Sequence, residues 1–412
     1  MKAWQPLQIK DLGRVVTGKT PPTESAEYFD GDELFVSPKD LSRNSYYVES
    51  TVTRISEKAL EKFKGQVIPR DAVMFTSLSF AFGKMGIASK SCITNQQINS
   101  VVVYHKHSAR FVYYLLRAYE PYIFAYNSGI DTPIVPKSVF EKIPVVVPAK
   151  VTQQKIAALL SACDDLITNN QRRIALLESM AEEIYREWFL RMRFPGHENV
   201  KTEKGIPAGW SPSNLGSIAT FVMGQSPSSE YYNEIGDGLP FHQGVGTYGE
   251  RYPVHKVFCS SEGRQAKSGD ILFSVRAPVG RLNIADVDLI IGRGLAAMRH
   301  RQGFNSFLFY LLKVTFATED MIGNGSIFNS VGKDELARHP ILNPPSPLIQ
   351  KFQNIVVPID SQLATLYAST ARLISMRDAL LLRLISSKLR VDQLDIQYPP
   401  SMTAELEQAA QG

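Results

Sequence analysis

TQQKIAALLSACDDLITNNQRRIALLESMAEEIYREWFLR, residues 152–191, decides how the rest of the chain is read. The stretch holds neither Pro nor Gly, and its apolar residues recur every seven positions. One seam runs through Leu160, Ile167, Ile174, Ala181 and Trp188; the other runs through Ile156, Cys163, Asn170, Leu177 and Ile184. This is the pattern of a coiled coil, with Asn170 as a polar residue suited to setting register. At ~1.5 Å per residue, such a helix is a rod of about 60 Å. A rod that long exceeds what one globule needs, so it calls for a second helix.

The second helix lies in the same chain. Val356, Leu363, Thr370, Arg377 and Leu384 form one seam, and Phe352, Ile359, Leu366, Leu373 and Leu380 the other. Ser346-Pro347 offers an N-cap and a first-turn proline. Pro358 is expected to kink or restart this helix. The likeness extends well beyond the helices. Trp4, Gly18, Thr20 and Pro21 match Trp210, Gly224, Ser226 and Pro227 at a shift of 206. Gly83-Lys84-Met85-Gly86-Ile87-Ala88 matches Gly280-Arg281-Leu282-Asn283-Ile284-Ala285 at a shift of 197. From Tyr114 and Tyr310 onward a shift of 196 holds without a gap, pairing Lys137, Pro144, Gln154 and Asp164 with Lys333, Pro340, Gln350 and Asp360. The chain is therefore written twice.

Within each copy, the first part is rich in Gly, Pro and short apolar runs. Val101-Val102-Val103-Tyr104 and Asp270-Ile271-Leu272-Phe273 read as buried strands, while 109–118 and 306–314 read as short helices. The expected fold is α+β: two β-rich mixed domains, each followed by a long helix, with the helices pairing as an antiparallel coiled coil of pseudo-two-fold symmetry. The boundaries predicted are 1–148 and 201–345 for the globules, and 149–200 and 346–412 for the helical spacers, the last with a C-terminal tail. Two matching modules held apart by rods suit two half-sites on a regular polymer such as DNA, with ~34 Å per turn.

Composition narrows the class. The 412 residues suit two to four domains, and a net charge of +5 permits a nucleic-acid partner without requiring one. Cys92, Cys163 and Cys259 are odd in number and far apart, which predicts reduced thiols in a cytoplasm. Met1-Lys2-Ala3-Trp4-Gln5-Pro6 lacks the apolar core of a signal peptide, and no apolar run approaches the ~20 residues that span a bilayer.

Several motifs resemble catalytic ones in letters but not in context. Gly13-Arg14-Val15-Val16-Thr17-Gly18-Lys19-Thr20 fits the P-loop pattern, in which Lys19 and Thr20 would meet phosphate and magnesium. Pro21 and Pro22 follow at once and forbid the helix a P-loop needs. Gly244-Val245-Gly246-Thr247-Tyr248-Gly249 fits G-x-G-x-x-G but follows no Rossmann strand, so it reads as a glycine-rich loop. Asn343-Pro344-Pro345-Ser346 is similar to the Asn-Pro-Pro-aromatic motif of amino-methyltransferases, with Ser346 in the aromatic's place. Histidines such as His105, His107, His242, His255, His300 and His339 fall at no metal-ligand spacing. The reading is of a chain with no catalytic residues, no metal and no cofactor of its own. A P-loop NTPase using Lys19 and Thr20, and a coiled-coil scaffold that binds only protein, are the competing readings.

Basic charge is concentrated in matching places. Between Arg251 and Arg301 nine Lys/Arg stand against four Asp/Glu; between Arg54 and Tyr104 seven stand against three. Recurrence in both copies points to phosphate-facing patches. The candidate DNA contacts are Lys19, Lys39, Arg43, Ser77, Lys84, Gln96 and Gln97 in the first copy, and Gln225, Gln243, Arg251, Arg276, Arg281 and Arg293 in the second. Arginine suits guanine edges and glutamine suits adenine. Gln96-Gln97 aligns with Arg293-Gly294, and Ser77-Leu78 falls near Val275-Arg276. Framework residues match while these side chains differ, as expected of modules that read different half-sites.

These features together resemble the specificity subunits of Type I restriction-modification enzymes. Gly18-Lys19-Thr20-Pro21-Pro22, Glu27-Tyr28-Phe29 and Leu34-Phe35-Val36-Ser37-Pro38-Lys39-Asp40-Leu41 look like the opening of a target recognition domain. Ile143-Pro144-Val145-Val146-Val147-Pro148 with Gln153-Gln154-Lys155-Ile156 looks like its passage into the helical spacer. Glu203-Lys204-Gly205-Ile206-Pro207-Ala208-Gly209-Trp210 looks like the start of a second domain, although Gln243-Gly244-Val245 replaces Pro38-Lys39-Asp40 there. The resemblance implies that each recognition domain reads half of a split double-stranded DNA site. It also implies that the helices fix the gap and dock two methylation subunits, with restriction subunits joining them. S-adenosylmethionine, ATP and magnesium are then expected on those partners.

Overall fold

The computed structural model describes residues 4–42, 46–78, 81, 83–127, 134–321 and 330–403. The chain divides into two compact units, Met1–Arg173 with Leu366–Gly412, and Ile174–Thr365. These units do not follow the sequential boundaries read from the sequence. Each combines one globule with a half of each long helix.

In the first unit a five-stranded sheet runs in the order 13–17, 98–103, 73–76, 85–88, 47–48, and a four-stranded sheet in the order 53–55, 29–36, 92–94, 67–68. Side chains alternate between two cores, as the pleat requires. Val15, Val73, Phe75, Ile87 and Val101 face the helix Ala109–Ala118 and the long helices. Val16, Met74, Ala88 and Ile98 turn the other way, toward the second sheet's Leu34, Val36, Ile68 and Cys92. Covered on both faces, these strands read as unbroken apolar runs, which is why periodicity alone hid their alternation.

The second unit repeats this plan. Its sheet order is 219–223, 295–300, 271–274, 282–284, with a further sheet through 232–233, 258–259, 239–242, 289–291 and 265–266. Ile271 and Phe273 belong to the helix-side core, and Leu272 to the sheet-side core. In each unit an entry strand pairs antiparallel with the strand that leads into a long helix: Gln5–Gln8 with Pro144–Val147, and Ser211–Asn214 with Pro340–Asn343. Gly83 and Gly280 both take positive φ, 81° and 87°, at the turns ahead of matching strands.

The first long helix spans Lys150–Tyr185 and continues into a π turn, Arg186–Leu190. The second spans Ser346–Ile385 and runs through Pro358 without restarting. Ser346 is the first helical residue rather than the cap, and its hydroxyl donates to Gln302 Oε1 at 3.1 Å. Of the seams, Leu160, Ile167, Ile174, Ala181 and Trp188 are all buried, as are Val356, Leu363, Thr370, Arg377 and Leu384. Ile156, Cys163, Asn170, Phe352 and Leu366 are buried too. Leu177, Ile184, Ile359, Leu373 and Leu380 are partly covered.

Within the first unit the helices are antiparallel. Asn170 donates to Ser369 Oγ at 3.3 Å, and Asp164 meets Arg377 further along. Within the second, Tyr185, Trp188 and Phe189 surround Phe352, with ring centroids 5.9, 6.2 and 5.2 Å away.

An ion pair made by a buried arginine ties the elements of each unit together. In the first, Arg377 Nη1 lies 2.6 Å from Asp164 Oδ1, and Tyr114 donates to Asp164 Oδ2 at 2.6 Å. Arg377 and Asp164 are each only 1% exposed. Burial pushes the Asp164 carboxyl up, and the Arg377 guanidinium and the Tyr114 hydroxyl pull against it. In the second unit Asp360 and Tyr310 take the equivalent places, but the arginine arrives from the globule. Arg251 Nη2 lies 2.6 Å from Asp360 Oδ1, and its guanidinium sits 4.6 Å from the Phe309 ring centroid. The helix position equivalent to Arg377 is Ala181.

Removing one partner of such a pair strands the other's charge in the core. Arg377→Ala is expected to lower the stability of the chain by about 3–5 kcal/mol, whereas Arg377→Met combined with Asp164→Leu recovers most of the loss. Chemical denaturation measures both. A double variant no more stable than the single one would contradict the ion-pair account.

Candidate nucleic-acid interface

Four chain segments converge at one end of the sheets in each unit, and their backbones are joined by the same hydrogen bonds. In the first unit Gly18 N–H donates to Ile98 O, Asn95 N–H to Val36 O, and Ser77 N–H to Gln97 O. In the second, Gly224 N–H donates to Leu295 O, Gly292 N–H to His242 O, and Val275 N–H to Gly294 O. An isolated bridge ties a fifth segment to each set, Leu78 with Ile134 and Arg276 with Ser330. The glycine at the crossing is obligatory for packing reasons. A Cβ on Gly18 would stand 2.0 Å from Thr94 O, and one on Gly224 would stand 2.1 Å from Gly292 O.

These bonds fix the correspondence between the copies. Gln96 and Arg293 hold the same place, as do Leu78 and Arg276. Val36 answers to His242, so Gln243 takes the place of Ser37, one residue away from the match with Pro38 read in the sequence.

Several candidates meet on this frame. Lys19, Lys39 and Gln96 are exposed in the first unit, and Gln225, Gln243, Arg276 and Arg293 in the second. Thr20 Oγ1 donates to Gln96 Oε1 at 2.7 Å, and Ser226 Oγ donates to Gln243 Oε1 at 2.7 Å. Lys19 Nζ stands 5.7 Å from the Phe63 ring centroid. Arg281 is exposed and lines a cleft with Val245, Glu178 and Phe309.

Other candidates are placed differently. Ser77 is buried, its hydroxyl held by Gln97 O at 2.8 Å. Lys84 is half-buried and donates to Pro38 O at 3.3 Å. Gln97 is half-buried, and its amide oxygen accepts from Asn95 Nδ2 at 3.3 Å. Arg251 is 2% exposed and committed to Asp360, so it is a core residue and not a surface contact. Composition counts its charge toward the basic patch because burial is invisible there. Arg43 lies outside the described residues.

The catalytic look-alikes resolve into structure. Residues Gly13–Thr17 form a strand paired with 98–103, so the backbone is committed to a ladder and makes no phosphate cradle. Val245–Thr247 is a single 3-10 turn inside a loop. Among the described residues no group of three or more His, Cys, Asp or Glu side chains is placed to hold a metal ion. No helix among them is long and apolar enough to cross a membrane.

Spacing did not reveal a histidine chain behind the second unit's frame. His242 Nδ1 lies 2.7 Å from Thr247 Oγ1 and its Nε2 2.9 Å from His255 Nδ1, while His255 Nε2 lies 3.2 Å from Asp286 Oδ2. With both rings neutral, one proton order satisfies every atom. Thr247 donates to His242, His242 to His255, and His255 to Asp286. Burial first, and then the charge of His255, hold the His242 imidazole down to about 4. Burial alone does the same to His300, also to about 4.

Both lowered values fix a pH dependence. The unfolded chain protonates these rings near 6.5, whereas the folded chain resists until about 4. Stability is therefore full above the unfolded value and falls as pH drops from about 6.5 toward 4. The slope is up to ~1.4 kcal/mol per pH unit for each histidine. Urea midpoints at pH 7 and pH 5 should differ less in a His242→Gln, His300→Asn double variant than in the parent. Equal differences would rule out the neutral-histidine account.

Sequence comparison places the chain among known proteins. The profile described as the Type I restriction modification DNA specificity domain matches it twice, over residues 1–179 and 207–364. The chain is 27% identical to the Type I restriction enzyme MjaIX specificity subunit of Methanocaldococcus jannaschii, over 95% of both chains. It is 32% identical to the putative type I restriction enzyme MjaX specificity subunit of the same organism, over 57% of both. Its fold is similar to the crystal structure of a Type I restriction-modification system S subunit from M. genitalium, with a TM-score of 0.61 at 17% identity, covering 93% of this chain and 96% of that one.

Proposed function

Because the chain belongs to the Type I restriction modification DNA specificity family, we propose that it reads a split DNA site, one half with each four-segment frame, and contributes no chemistry of its own. One observation carries this reading. The two frames share their backbone hydrogen bonds while the side chains at matching places differ: exposed Gln96 against exposed Arg293, buried Leu78 against exposed Arg276, half-buried Ser37 against exposed Gln243. Constant scaffolding with variable donors and acceptors is what two different base sequences require. Exposed Lys19, Lys39, Arg276 and Arg293 supply cations for phosphate or guanine.

The long helices set the gap. They also carry outward apolar residues, including Leu166, Leu176, Met180, Met376 and Leu382, between 48% and 65% exposed. We assign these to docking of methylation subunits, which bind S-adenosylmethionine. Restriction subunits using ATP and magnesium complete the complex, in a cytoplasmic setting.

Methylation mapping in a host carrying the complete system tests the division of labour. Arg276→Ala should relax one half-site only, by roughly 1–3 kcal/mol if that arginine reads guanine. Matched four-residue insertions after Ala175 and after Thr365 add about 6 Å of helix. They should lengthen the gap by one or two base pairs and leave the half-site bases unchanged. Changed bases with an unchanged gap would refute the ruler. For phosphate contact, Lys39→Ala should reduce the log–log salt slope of binding by ~1; an unaltered slope removes Lys39 from the interface.

A further inference from the structure

The DNA-reading role proposed above leaves open how the reading side chains are aimed. Thr20 and Ser226 occupy the same place in the two units, two residues beyond the crossing glycines. Each gives its hydroxyl hydrogen to a glutamine amide oxygen at 2.7 Å, Thr20 to Gln96 and Ser226 to Gln243. These glutamines are not equivalent to one another. The counterpart of Gln243 in the first unit is Ser37, whose hydroxyl turns to Asp40 at 2.7 Å. The counterpart of Gln96 in the second is Arg293, whose backbone N–H donates to Ser226 Oγ at 3.3 Å. The hydroxyl has kept its place while the glutamine has changed loops.

The seat of Gln243 is built for it. A Cβ on Gly292 would stand 2.6 Å from Gln243 Oε1 and 2.9 Å from its Cα. The first unit has Asn95 at that position, and there the asparagine side chain is bonded to Gln97. Ser226 accepts the Arg293 N–H, and its own hydrogen goes to the oxygen end of the Gln243 amide.

Amide polarity matters for base reading. In the major groove adenine offers one acceptor, N7, beside one donor, the N6 amine, and a glutamine must present its two ends in the matching order. Guanine offers two acceptors, which only the NH2 end can satisfy. A hydroxyl hydrogen on Oε1 favours this order, keeps the Nε2 hydrogens for N7, and leaves Oε1 a second lone pair for the N6 amine. We infer that Gln96 and Gln243 each read an adenine, one in each half-site, and that Thr20 and Ser226 are positioning residues that set the polarity of those amides.

Methylation mapping of the complete system, together with binding selection on randomised DNA by the full-length chain with its methylation subunits, tests this. Gln96→Ala and Gln243→Ala should each erase preference at one adenine, in opposite half-sites, by about tenfold or more. Thr20→Val and Ser226→Ala should weaken preference at those same adenines, Thr20→Ser should keep it at the parental level, and the salt slope of binding should stay unchanged throughout. Hydroxyl variants that keep the parental motif, while the glutamine variants relax it, overturn the positioning role. Relaxation at a base other than adenine overturns the assignment of the glutamines. A parent chain with no sequence preference at all is a different failure, that of the DNA-reading role itself.

Discussion

The buried carboxylate at Asp164, with its half-buried copy at Asp360 facing a buried arginine, is the constraint on which each unit depends. A charge in a core must be met by an opposite charge and by enough hydrogen bonds to replace water, or the cost is several kcal/mol. In the first unit that requirement draws on three elements at once: the globule's Tyr114, the first helix's Asp164 and the second helix's Arg377. Only one axial register of the two helices lets Arg377 reach. The apolar seam is more permissive, because a leucine slid by one heptad still meets another apolar side chain. Within this unit the ion pair restricts register more strictly than the leucines do, and Asn170 with Ser369 adds a second polar check.

In the second unit the same problem has a different solution. Ala181 stands where an arginine would be equivalent, and Arg251 comes from the globule to meet Asp360 and Glu178. The two locks are therefore chemically alike but wired differently. An exchange of globules that carried Arg251 into the first unit would bring two arginines to one aspartate. The near-repeat in sequence thus conceals two sets of partners, each complete only with its own helix half.

Much of the architecture was legible because it rests on periodicity and repetition. Heptad spacing exposed the helices, the gap-free shift of 196 exposed the second copy, and Ala109–Ala118 was found at its own bounds. What stayed hidden depends on distance. Arg251 read as surface charge because a sequence does not show which cations are buried. Pro358 is expected to kink or restart the second helix, and the helix runs through it from Ser346 to Ile385 without restarting. The interface was half legible. Divergent positions within a matching framework marked Gln96, Arg276 and Arg293. Ser77 and Lys84 have the right chemistry but point into hydrogen bonds of the scaffold. Thr20 and Ser226 were visible as a matched pair, although the P-loop pattern around Thr20 drew attention to the wrong chemistry.

The division between frame and display explains how one fold can address different DNA sequences. Gly18 and Gly224 admit no side chain without a clash with backbone oxygen, and Arg251 cannot leave its aspartate without stranding a charge. Substitutions there act on folding. Gln96 and Arg293 are exposed on turns and Arg276 is exposed at its bridge to Ser330, and surface changes away from special features usually alter stability by no more than ~0.5 kcal/mol. A bidentate hydrogen-bonded pairing with a base edge, made or broken at the same position, is worth about 1–3 kcal/mol of discrimination. The ratio favours recognition: a side chain at these turns changes what is read by more than it changes how the unit folds. The relocation of a glutamine from one loop to another, under a hydroxyl that did not move, is a rearrangement that this ratio permits.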